Sequence, residues 1–496
     1  MSDRFHAFGT VEAAAIATQA IPGDNALAMA TTKQSGSPDT PAGPAESGAG
    51  FHARSERLEA GKALRERVAR ESHAAWKSPR RGRDPVEILE NSNRGRLAEL
   101  VPIRYGRMAR SPFTFLRGSA GLMAHDLATT PTMGVRVQAC GDCHLLNFGG
   151  FATPERSLIF DLNDFDETLP APWEWDVKRL VVSFLVAGRD NRIPDDDGLA
   201  AVLDCVRAYR EHLRACSRMR PLEVWYQRLD AETLIKAAPD AKVRKVRQQI
   251  ADRARERVIE NLFPKITTLV DGRHRLVDQP PILVHVAEPD FEQRVHEVLA
   301  GYRESLPDER RVLLDRYRLE DCALKVVGIG SVGTRCYIGL LFSEDGHPLI
   351  LQFKEAVRSV LEPHAGASAY DNQGQRVVVG QRLLQSSSDI FLGWVRGRRG
   401  HDFFVRQLRD MKMSMPVDGL GATQLRRYAR ICGWTLARAH AKSGDAATIS
   451  GYLGKGDAFD RALAEFAVAY ADQTHADHAA LLKAIRSGRI EALQEY

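Results

Sequence analysis

The chain has 496 residues, of which 44% are hydrophobic and 27% are charged, and its formal net charge is +5. This length permits two or three packed domains, and the small net charge argues against a dedicated nucleic-acid-binding protein. Seven cysteines are too few for a disulfide framework, the first residues lack the pattern of a signal peptide, and no apolar run is long enough to cross a bilayer. We therefore expect a cytoplasmic protein with no membrane partner.

A polar tail and a mainly helical segment open the chain. Residues 1–50 are rich in Ala, Thr, Ser, Pro and Gly, and such a composition cannot bury enough apolar surface to fold, so we predict a disordered tail. The next segment, residues 51–194, should contain helices and one short strand. Apolar periodicity predicts helices at 52–76, 112–128 and 173–187, and strand composition predicts the strand at 135–138. The basic residues 77–83 are typical of a solvated linker, and the alternative is a contact for phosphate or an acidic partner.

The pattern changes twice in the rest of the chain. Residues 195–320 have the periodicity of amphipathic helices, which predicts a helical bridging region. From 321 to 412, apolar runs alternate with Gly turns, which predicts a small β-rich lobe. Its expected elements are three strands within 323–355, a helix over 373–385, and strands at 390–395 and 403–408. Residues 413–496 return to helical periodicity.

An aspartate and an asparagine stand five residues apart in the segment GDCHLLN, as Asp142 and Asn147. Phosphoryl transfer uses a carboxylate that receives the proton of the attacking hydroxyl, and hard oxygen ligands for Mg²⁺. The catalytic loop of protein kinases has the same Asp-to-Asn interval. We therefore predict Asp142 as the catalytic base and Asn147 as a metal ligand, with His144 either stabilising this loop or assisting at the transferred phosphate.

A hairpin is predicted directly after this loop, over 148–163, with its turn at Thr153-Pro154-Glu155. It ends at Asp164-Phe165-Asp166, in the position of the kinase Asp-Phe-Gly triplet, so Asp164 is the expected metal ligand. Asp161 is the alternative ligand. Strand alternation does not decide between them, because it places residues 161 and 164 on opposite faces without showing which face meets the site.

These motifs resemble those of the aminoglycoside and choline kinase branch of the protein-kinase-like superfamily. After about residue 60 the chain resembles more closely a bacterial family catalogued as domain of unknown function 2252, whose hallmarks GDxHxxNFG, NDFDE and PWEWD are all present. The kinase-like resemblance implies ATP and Mg²⁺ as cofactors, and a nucleotide and a hydroxyl acceptor as partners. It also implies that Asp176, at the start of a helix, is a buried anchor for the backbone N–H groups of the catalytic loop.

A second glycine-rich motif follows much later, at Gly328, Gly330, Ser331 and Gly333. Glycines there let the backbone approach anionic oxygens. A Rossmann fold would require a helix after the last glycine, but residues 334–342, TRCYIGLLF, are strand-like. These four residues and Lys354, on the expected third strand, are therefore predicted to bind nucleotide phosphates. The alternative for Lys354 is an exposed lysine at a strand end.

The catalytic segment thus precedes the phosphate-binding segment, the reverse of the kinase order. The predicted fold class is α+β, a two-lobed protein-kinase-like fold that is circularly permuted, with a small antiparallel β lobe and a large helical lobe. Asp142 and Lys354 should face one cleft, and residues 403–412 should form the hinge that meets adenine. The acidic partner of Lys354 is not identified, since the helix over 373–385 has no Glu and the nearest carboxylates are Glu355 and Glu362.

The predicted function is an ATP- and Mg²⁺-dependent phosphotransferase acting on a hydroxyl acceptor, a small molecule rather than a protein. Alternatives are an AMP transferase on the same fold and a non-catalytic nucleotide-binding or scaffold protein, which the missing helix Glu suggests. Arg117 is expected to contact phosphate or to form a structural salt bridge, and His440 to be a satisfied helix histidine. Cys140 and Cys143 formally match a haem or zinc motif or a redox pair, but the phosphotransferase loop already accounts for this segment.

Overall fold

The computed structural model of the chain describes residues 52–77, 83–238, 241–257, 259–408 and 411–493. The predicted tail over 1–50 and most of the basic segment 77–83 lie outside these residues. The described chain is a mixed α+β protein with small antiparallel sheets, which confirms the predicted α+β class. Within the described ranges, no helix combines the length and the apolar character that crossing a membrane requires.

The helices and strands are numbered here in chain order. The α-helices are α1 (Arg54–Arg67), α2 (Pro85–Asn91), α3 (Val101–Met108), α4 (Pro112–Gly118), α5 (Ala120–Leu127), α6 (Trp173–Asp190), α7 (Asp195–Cys216), α8 (Pro221–Tyr226), α9 (Ala231–Lys236), α10 (Ala241–Arg255), α11 (Ile259–Ile266), α12 (Phe291–Glu304), α13 (Asp308–Leu314), α14 (Glu362–Ala365), α15 (Gln373–Leu384), α16 (Ala422–Ser443), α17 (Ala446–Leu453) and α18 (Ala458–Arg486). The β-strands are β1 (Arg136–Ala139), β2 (Phe148–Ala152), β3 (Leu158–Leu162), β4 (Leu169–Pro172), β5 (Leu229–Asp230), β6 (Thr267–Val270), β7 (Arg273–Leu276), β8 (Leu283–Val284), β9 (Tyr317–Lys325), β10 (Cys336–Ser343), β11 (Pro348–Ala356), β12 (Gly393–Arg396), β13 (Asp402–Gln407) and β14 (Met413–Ser414).

Two antiparallel sheets position the residues of interest. The larger has six strands in the order β12-β13-β11-β10-β9-β8, and Lys354 on its central strand β11 pairs with Cys336 on β10 and Phe404 on β13. The second has the order β14-β2-β3-β5 and contains the predicted hairpin, with Phe148 opposite Leu162. Lys354 therefore has a rigid backbone on both sides, because both neighbouring strands bond to its own.

Most of the helices pack around one apolar core. Leu180 of α6, Val206 of α7, Leu436 of α16 and Phe466 of α18 are all fully buried in it. A separate apolar cluster lies on the six-stranded sheet, where Tyr302 of α12 packs against residues of β11. The early and late helices of the chain thus share a core, while the sheet has its own.

Several sequence predictions of local structure need correction. The helix expected over 112–128 is two helices, because Ser119 leaves helical geometry between α4 and α5. The region 195–320, expected to be helical, also contains strands β5 to β8, and β8 extends the six-stranded sheet by pairing with β9. Strand β14 was not predicted, since its two residues carry no alternating pattern.

Candidate active site

Seven of the predicted site residues line one cleft with a volume of about 760 Å³. Residues from the loop before β2, from the end of the hairpin and from the glycine-rich segment line it together. The predicted residues in this lining are Asp142, His144, Asn147, Asp164, Gly328, Gly330 and Ser331. Lys354 reaches the same cleft through its contacts with the aspartates of the lining, as described below. Asp142 thus lines the cleft, and Lys354 adjoins it through Asp164 and Asp166 without being a lining residue.

Asp176, at the start of α6, holds the loop that carries Asp142. Its Oδ2 accepts a hydrogen bond from the N–H of Cys140 at 2.6 Å, and its Oδ1 accepts from Gly141 at 3.0 Å. The imidazole of His440 lies 3.2 Å from Asp176 Oδ2 and contacts the Tyr209 hydroxyl at 2.8 Å through its other nitrogen. All of these side chains are buried, so the predicted anchor and the predicted satisfied histidine are both confirmed.

Gly141 fits this loop only as glycine. Its φ is +92°, and a Cβ there would lie 2.3 Å from the carbonyl oxygen of Glu167. The close approach joins the loop before β2 to the segment that follows Asp166. The two acidic segments of the cleft are therefore held against each other by backbone packing.

The carboxylate of Asp142 lies beside two basic side chains. Arg179 donates from Nε to Asp142 Oδ1 at 2.5 Å, and His144 Nε2 lies 4.0 Å from Oδ2. Burial raises the pKa of Asp142 and Arg179 lowers it, with a net value of about 7. A carboxylate with this pKa exchanges a proton readily at neutral pH, which suits a proton acceptor.

His144 and Asn147 shape the loop around Asp142. The Nδ1 of His144 accepts from the N–H of Leu146 at 3.2 Å, and burial, Arg117 and Arg179 together hold the His144 pKa well below its ordinary value. The neutral ring therefore carries its proton on Nε2, toward Asp142. The amide nitrogen of Asn147 donates to the carbonyl of Asp142, so its amide oxygen is the atom that could ligate a cation.

The ammonium group of Lys354 contacts Oδ2 of Asp166 and lies 4.0 Å from Oδ1 of Asp164. Asp166 Oδ2 also accepts from the hydroxyl of Ser331 at 3.1 Å. The Lys354 side chain is only 4% exposed, so it is not an exposed lysine at a strand end. Burial lowers the pKa of Lys354, but Asp164 and Asp166 outweigh this effect and raise it, so the amine is charged at neutral pH.

Asp166 is therefore the acidic partner of Lys354, in place of the two glutamates nearest in sequence. Glu355 is occupied by Arg335 at 3.2 Å and by His401 at 2.9 Å. Glu362 lines the cleft, but no contact between it and Lys354 is present among the described residues. Sequence reasoning missed Asp166 as the partner although it belongs to the Asp-Phe-Asp triplet.

The oxygen atoms at this end of the cleft suit a cation. Burial raises the pKa of Asp164, but Lys354 and Arg406 lower it to about 2, so Asp164 is ionised. Within the described part of the chain, the buried oxygens Asp166 Oδ1 and Asn163 Oδ1 have no hydrogen-bond partner. The described part of the chain contains no group of three or more His, Cys, Asp or Glu side chains that could hold a metal. A hard cation here would need oxygens from a ligand as well as from the protein.

Asp161, the alternative metal ligand, is not part of the cleft. Its carboxylate contacts the guanidinium of Arg438 and accepts from the N–H and the hydroxyl of Ser386 at 2.8 and 2.7 Å. Asp161 and Arg438 are each 1% exposed. The assignment of Asp161 to a metal site is corrected accordingly: its face of β3 is directed toward α16, where it forms a buried ion pair.

The glycine-rich segment forms one wall of the cleft. Arg107 donates to the carbonyl of Gly328 at 2.5 Å, and Arg96 donates to that of Val332 at 2.6 Å. In the described residues, neither a carbonyl nor a side chain accepts from the N–H groups of Gly330 and Ser331. These N–H groups are the kind of donors that bind anionic oxygens.

Gly333 has a different position from the other glycines of this segment. It does not line the cleft; its φ is +91°, its carbonyl accepts from the N–H of Leu97 at 2.7 Å, and a Cβ would lie 3.0 Å from Cβ of Arg96. Its prediction as a ligand-binding residue is therefore corrected. Gly333 allows the segment to pack on the residues before α3.

Three further basic residues were not predicted as part of the site. Arg376, on the helix where a glutamate was expected, donates to the carbonyls of Thr168, Asp166 and Val357 at 2.7 to 2.9 Å. Arg406 and Lys412 line the cleft, and burial and Arg406 lower the Lys412 pKa to about 7. The sequence did show that this helix has no glutamate, and that absence was the one sign that another residue, Arg376, occupies its place.

The predicted hinge over 403–412 lies partly outside the described residues.

The cysteines of this region are buried thiols. Cys140 and Cys143 are both free, and burial raises the pKa of Cys143 well above its ordinary value. Cys140 donates through sulfur to the carbonyl of Asp164 at 3.2 Å. Protonated buried thiols are poor nucleophiles and poor metal ligands, so the chemistry of the cleft depends on its carboxylates and cations.

The fold and the site define a mixed α+β protein in which two acidic loops meet a buried strand lysine and a glycine-rich segment in one charged cleft. The chain belongs to a bacterial family described as uncharacterized protein conserved in bacteria (DUF2252), whose model matches residues 96–484. No curated protein and no solved structure matches the chain. The family match includes every predicted site residue.

Proposed function

We propose that this protein is an ATP- and Mg²⁺-dependent phosphotransferase that acts on the hydroxyl group of a small molecule. The observation that supports this best is the contact of Lys354 with Asp166 and Asp164 in the cleft that also contains Asp142. Phosphoryl transfer requires a cation for the phosphates, carboxylates for the metal and a proton acceptor. These three requirements correspond to Lys354, Asp164 and Asp142.

In the proposed reaction Asp142 receives the proton of the acceptor hydroxyl. The hydroxyl oxygen forms a bond to the γ-phosphorus of ATP, the bond from that phosphorus to its bridging oxygen breaks, and ADP leaves with the electron pair. The Asp142 pKa of about 7 leaves a large fraction of the carboxylate ionised at neutral pH. Arg179 fixes the orientation of this carboxylate by donating to one of its oxygens.

The phosphates would lie against Lys354 and the N–H groups of Gly330 and Ser331. Mg²⁺, held by Asp164 and the amide oxygen of Asn147, would neutralise phosphate charge when bound. The unpartnered oxygens of Asp166 and Asn163 support such a cation, because buried acceptors without a donor are unfavourable unless a ligand satisfies them. Lys354, ionised and rigidly held on β11, would grip the phosphates without reorganising.

We further propose that the fold is kinase-like and circularly permuted. Three features support this: the sheet β9-β10-β11 with the glycine-rich turn between its first two strands, Lys354 on the third strand, and the loop of Asp142 preceding all of them in the chain. In this proposal residues 321–412 form the nucleotide lobe, and residues 51–194 and 413–496 form the large lobe. The shared core of α6, α7, α16 and α18 supports the joining of the two terminal parts.

The proposal is tested by incubating the purified protein with ATP, Mg²⁺ and a panel of small hydroxylated metabolites while ADP release is measured. Asp142→Asn is the control, since it keeps the shape of the side chain but does not accept the proton. Mass spectrometry of the product separates the alternatives, because an adduct of AMP would replace phosphoryl transfer by nucleotidyl transfer. If no compound increased nucleotide consumption over the Asp142→Asn background, the enzymatic proposal would be wrong.

A further inference from the structure

Arg117, at the end of α4, is a half-buried charged side chain. Its Nε is buried and has no hydrogen-bond partner among the described residues. Its closest aromatic contact is the Phe113 ring, 6.0 Å away. Burial lowers the pKa of Arg117 although Asp142, Asp164 and Asp418 oppose this effect. The expected structural salt bridge is therefore not formed.

A buried Nε without a partner is unfavourable for folding alone. Such a donor costs free energy when it makes no hydrogen bond, whereas pairing the guanidinium with an oxyanion through its planar fork would satisfy it. Arg179 shows the contrast within the same cleft, because it donates to Asp142 and to the carbonyl of Leu116. Arg117 thus has the properties of a residue whose partner is a ligand.

Arg117 lies in the wall between two cavities. It lines the cleft that contains Asp142, and it also lines a neighbouring cavity of about 890 Å³. The two cavities share Arg117, Leu146, Gly328 and Ile329, and neither Asp164 nor Asp166 lines the second one. The second cavity therefore borders the cleft that contains the proposed proton acceptor, and none of the proposed phosphate and metal residues lines it.

We infer that this second cavity binds the acceptor, and that Arg117 binds an acid group, a carboxylate or a phosphate, on that acceptor. The inference rests on the proposed function and adds the substrate class: a small hydroxylated molecule with an anionic group. Its acid group would pair with Arg117 while its hydroxyl faces Asp142. The hydroxyl proton passes to Asp142, the hydroxyl oxygen bonds to the γ-phosphorus, and the bond to ADP breaks.

The other charges of this cavity are compatible with an anionic acceptor. Arg107 donates to the Gly328 carbonyl and does not line the cleft of Asp142, whereas Arg117 lines both cavities. Asp190 accepts from the N–H of Phe113 at 3.2 Å and so is engaged with the protein. Arg110 adds a third guanidinium to the wall. Asp418 is the second carboxylate of the lining, so three arginines face two aspartates there.

The test is calorimetric titration with a matched pair of probes, sn-glycerol 3-phosphate and glycerol, which differ in the acid group. The protein is first saturated with Mg²⁺ and the non-hydrolysable analogue adenylyl imidodiphosphate, so that the nucleotide phosphates occupy their own site. We expect the phosphate probe to bind and glycerol not to bind. Arg117→Met should weaken binding of the phosphate probe at least tenfold, and Arg117→Lys should weaken it by a smaller factor. Arg220→Met should have no effect, since that side chain is 84% exposed and remote from the cleft.

Three outcomes would overturn the inference: equal binding of the phosphate probe by wild type and Arg117→Met, no binding of this probe at all, or binding only when the analogue is left out, which would assign Arg117 to the nucleotide. Arg117→Met should also unfold at the same temperature as wild type or higher, because its buried Nε makes no hydrogen bond with the described residues that could be lost. If the analogue did not bind but the phosphate probe still required Arg117, the anion site would stand and the proposed function would fail.

Discussion

The ammonium group of Lys354 lies 4.0 Å from the carboxylate of Asp164, although one belongs to the six-stranded sheet and the other follows the β2–β3 hairpin. Asp166 contacts the same ammonium group directly. The contacts between Lys354 and the two aspartates thus join the six-stranded sheet to the sheet of the hairpin, although these segments are far apart in the chain. A cation on the sheet side and carboxylates on the hairpin side are the arrangement from which we propose phosphate and metal binding.

Replacing Lys354 should affect both activity and stability. Lys354→Met is expected to lower kcat/KM for ATP roughly 100-fold, because a preorganised cation at the transferred phosphate is lost. It should also destabilise the fold by about 3 kcal/mol in urea unfolding, because Asp166 loses its buried partner. The double variant Lys354→Met with Asp166→Asn should recover the stability but not the activity. Wild-type ATP turnover by the single variant would refute the phosphate role of Lys354.

The pH dependence of activity should report Asp142. Its pKa is about 7, so kcat/KM for the acceptor should rise as pH increases from 6 to 8 and the carboxylate ionises. Asp142→Glu should retain part of the activity with a similar rise, and Asp142→Asn should remove it. The measurement is the initial rate of ADP release in buffers of constant ionic strength. A flat profile across this range would show that Asp142 is not the titrating proton acceptor.

Asp161 and Asp164 should give opposite phenotypes. Asp161→Asn breaks the buried pair with Arg438 and should lower the free energy of unfolding by about 3 to 5 kcal/mol, while the Mg²⁺ dependence of any remaining activity is unchanged. Asp164→Asn should remove Mg²⁺-dependent activity with a smaller loss of stability.

The matched control is Asp457→Asn, which breaks an exposed ion pair with Arg461. It should change the free energy of unfolding by no more than about 0.5 kcal/mol. Chemical denaturation and magnesium titration on the three variants provide the comparison. A shift in magnesium affinity for Asp161→Asn, with none for Asp164→Asn, would reverse the assignment.

A buried pair on α6 should make stability depend on pH. Burial raises the Glu174 pKa and lowers the Lys178 pKa, each to about 7. Folding thus takes up a proton at Glu174 between about pH 4.5 and 7, where stability falls as pH rises. Folding releases a proton from Lys178 between about pH 7 and 10.5, where stability rises as pH rises. The contribution of the pair is therefore least favourable near pH 7.

Removing this pair should stabilise the protein most near neutral pH. Lys178 Nζ has no hydrogen-bond partner in the described residues, whereas Glu174 accepts from the N–H of Met133 at 2.7 Å, which a glutamine can replace. In the double variant Glu174→Gln with Lys178→Met, the free energy of unfolding should increase by roughly 1 to 4 kcal/mol at pH 7 and by less at pH 5 and 9. Urea unfolding at the three pH values measures this. An equal gain at all three would show that the pair does not titrate on folding.

Local patterns predicted the hairpin and the anchor well. The hairpin over 148–163 and its turn follow from strand composition, and its strands β2 and β3 are confirmed. Asp176 as the anchor of the Asp142 loop is also confirmed, although the two segments are separated in the chain. In both cases the prediction depends on a short local pattern: strand composition for the hairpin, and the PWEWD motif for Asp176.

Contacts between distant segments were harder to predict. The partner of Lys354 is Asp166 rather than a neighbouring glutamate, because the side chain of a strand in one sheet meets the segment after a hairpin of another sheet, which sequence distance does not predict. The face of Asp161 depends on α16, which supplies Arg438, and strand alternation contains no information about that helix. The same reason explains Arg117, whose unpartnered Nε is visible only when all neighbouring segments are in place.

The most direct test is a crystal structure of the protein with adenylyl imidodiphosphate and Mn²⁺, whose anomalous signal locates the cation in place of Mg²⁺. We predict the analogue's phosphates against Lys354 and the N–H groups of Gly330 and Ser331, and an anomalous peak at the carboxylate of Asp164. The same crystals of Asp164→Asn should lose the peak. Nucleotide bound outside this cleft, or a cation bound away from Asp164, would contradict the proposed phosphotransferase site.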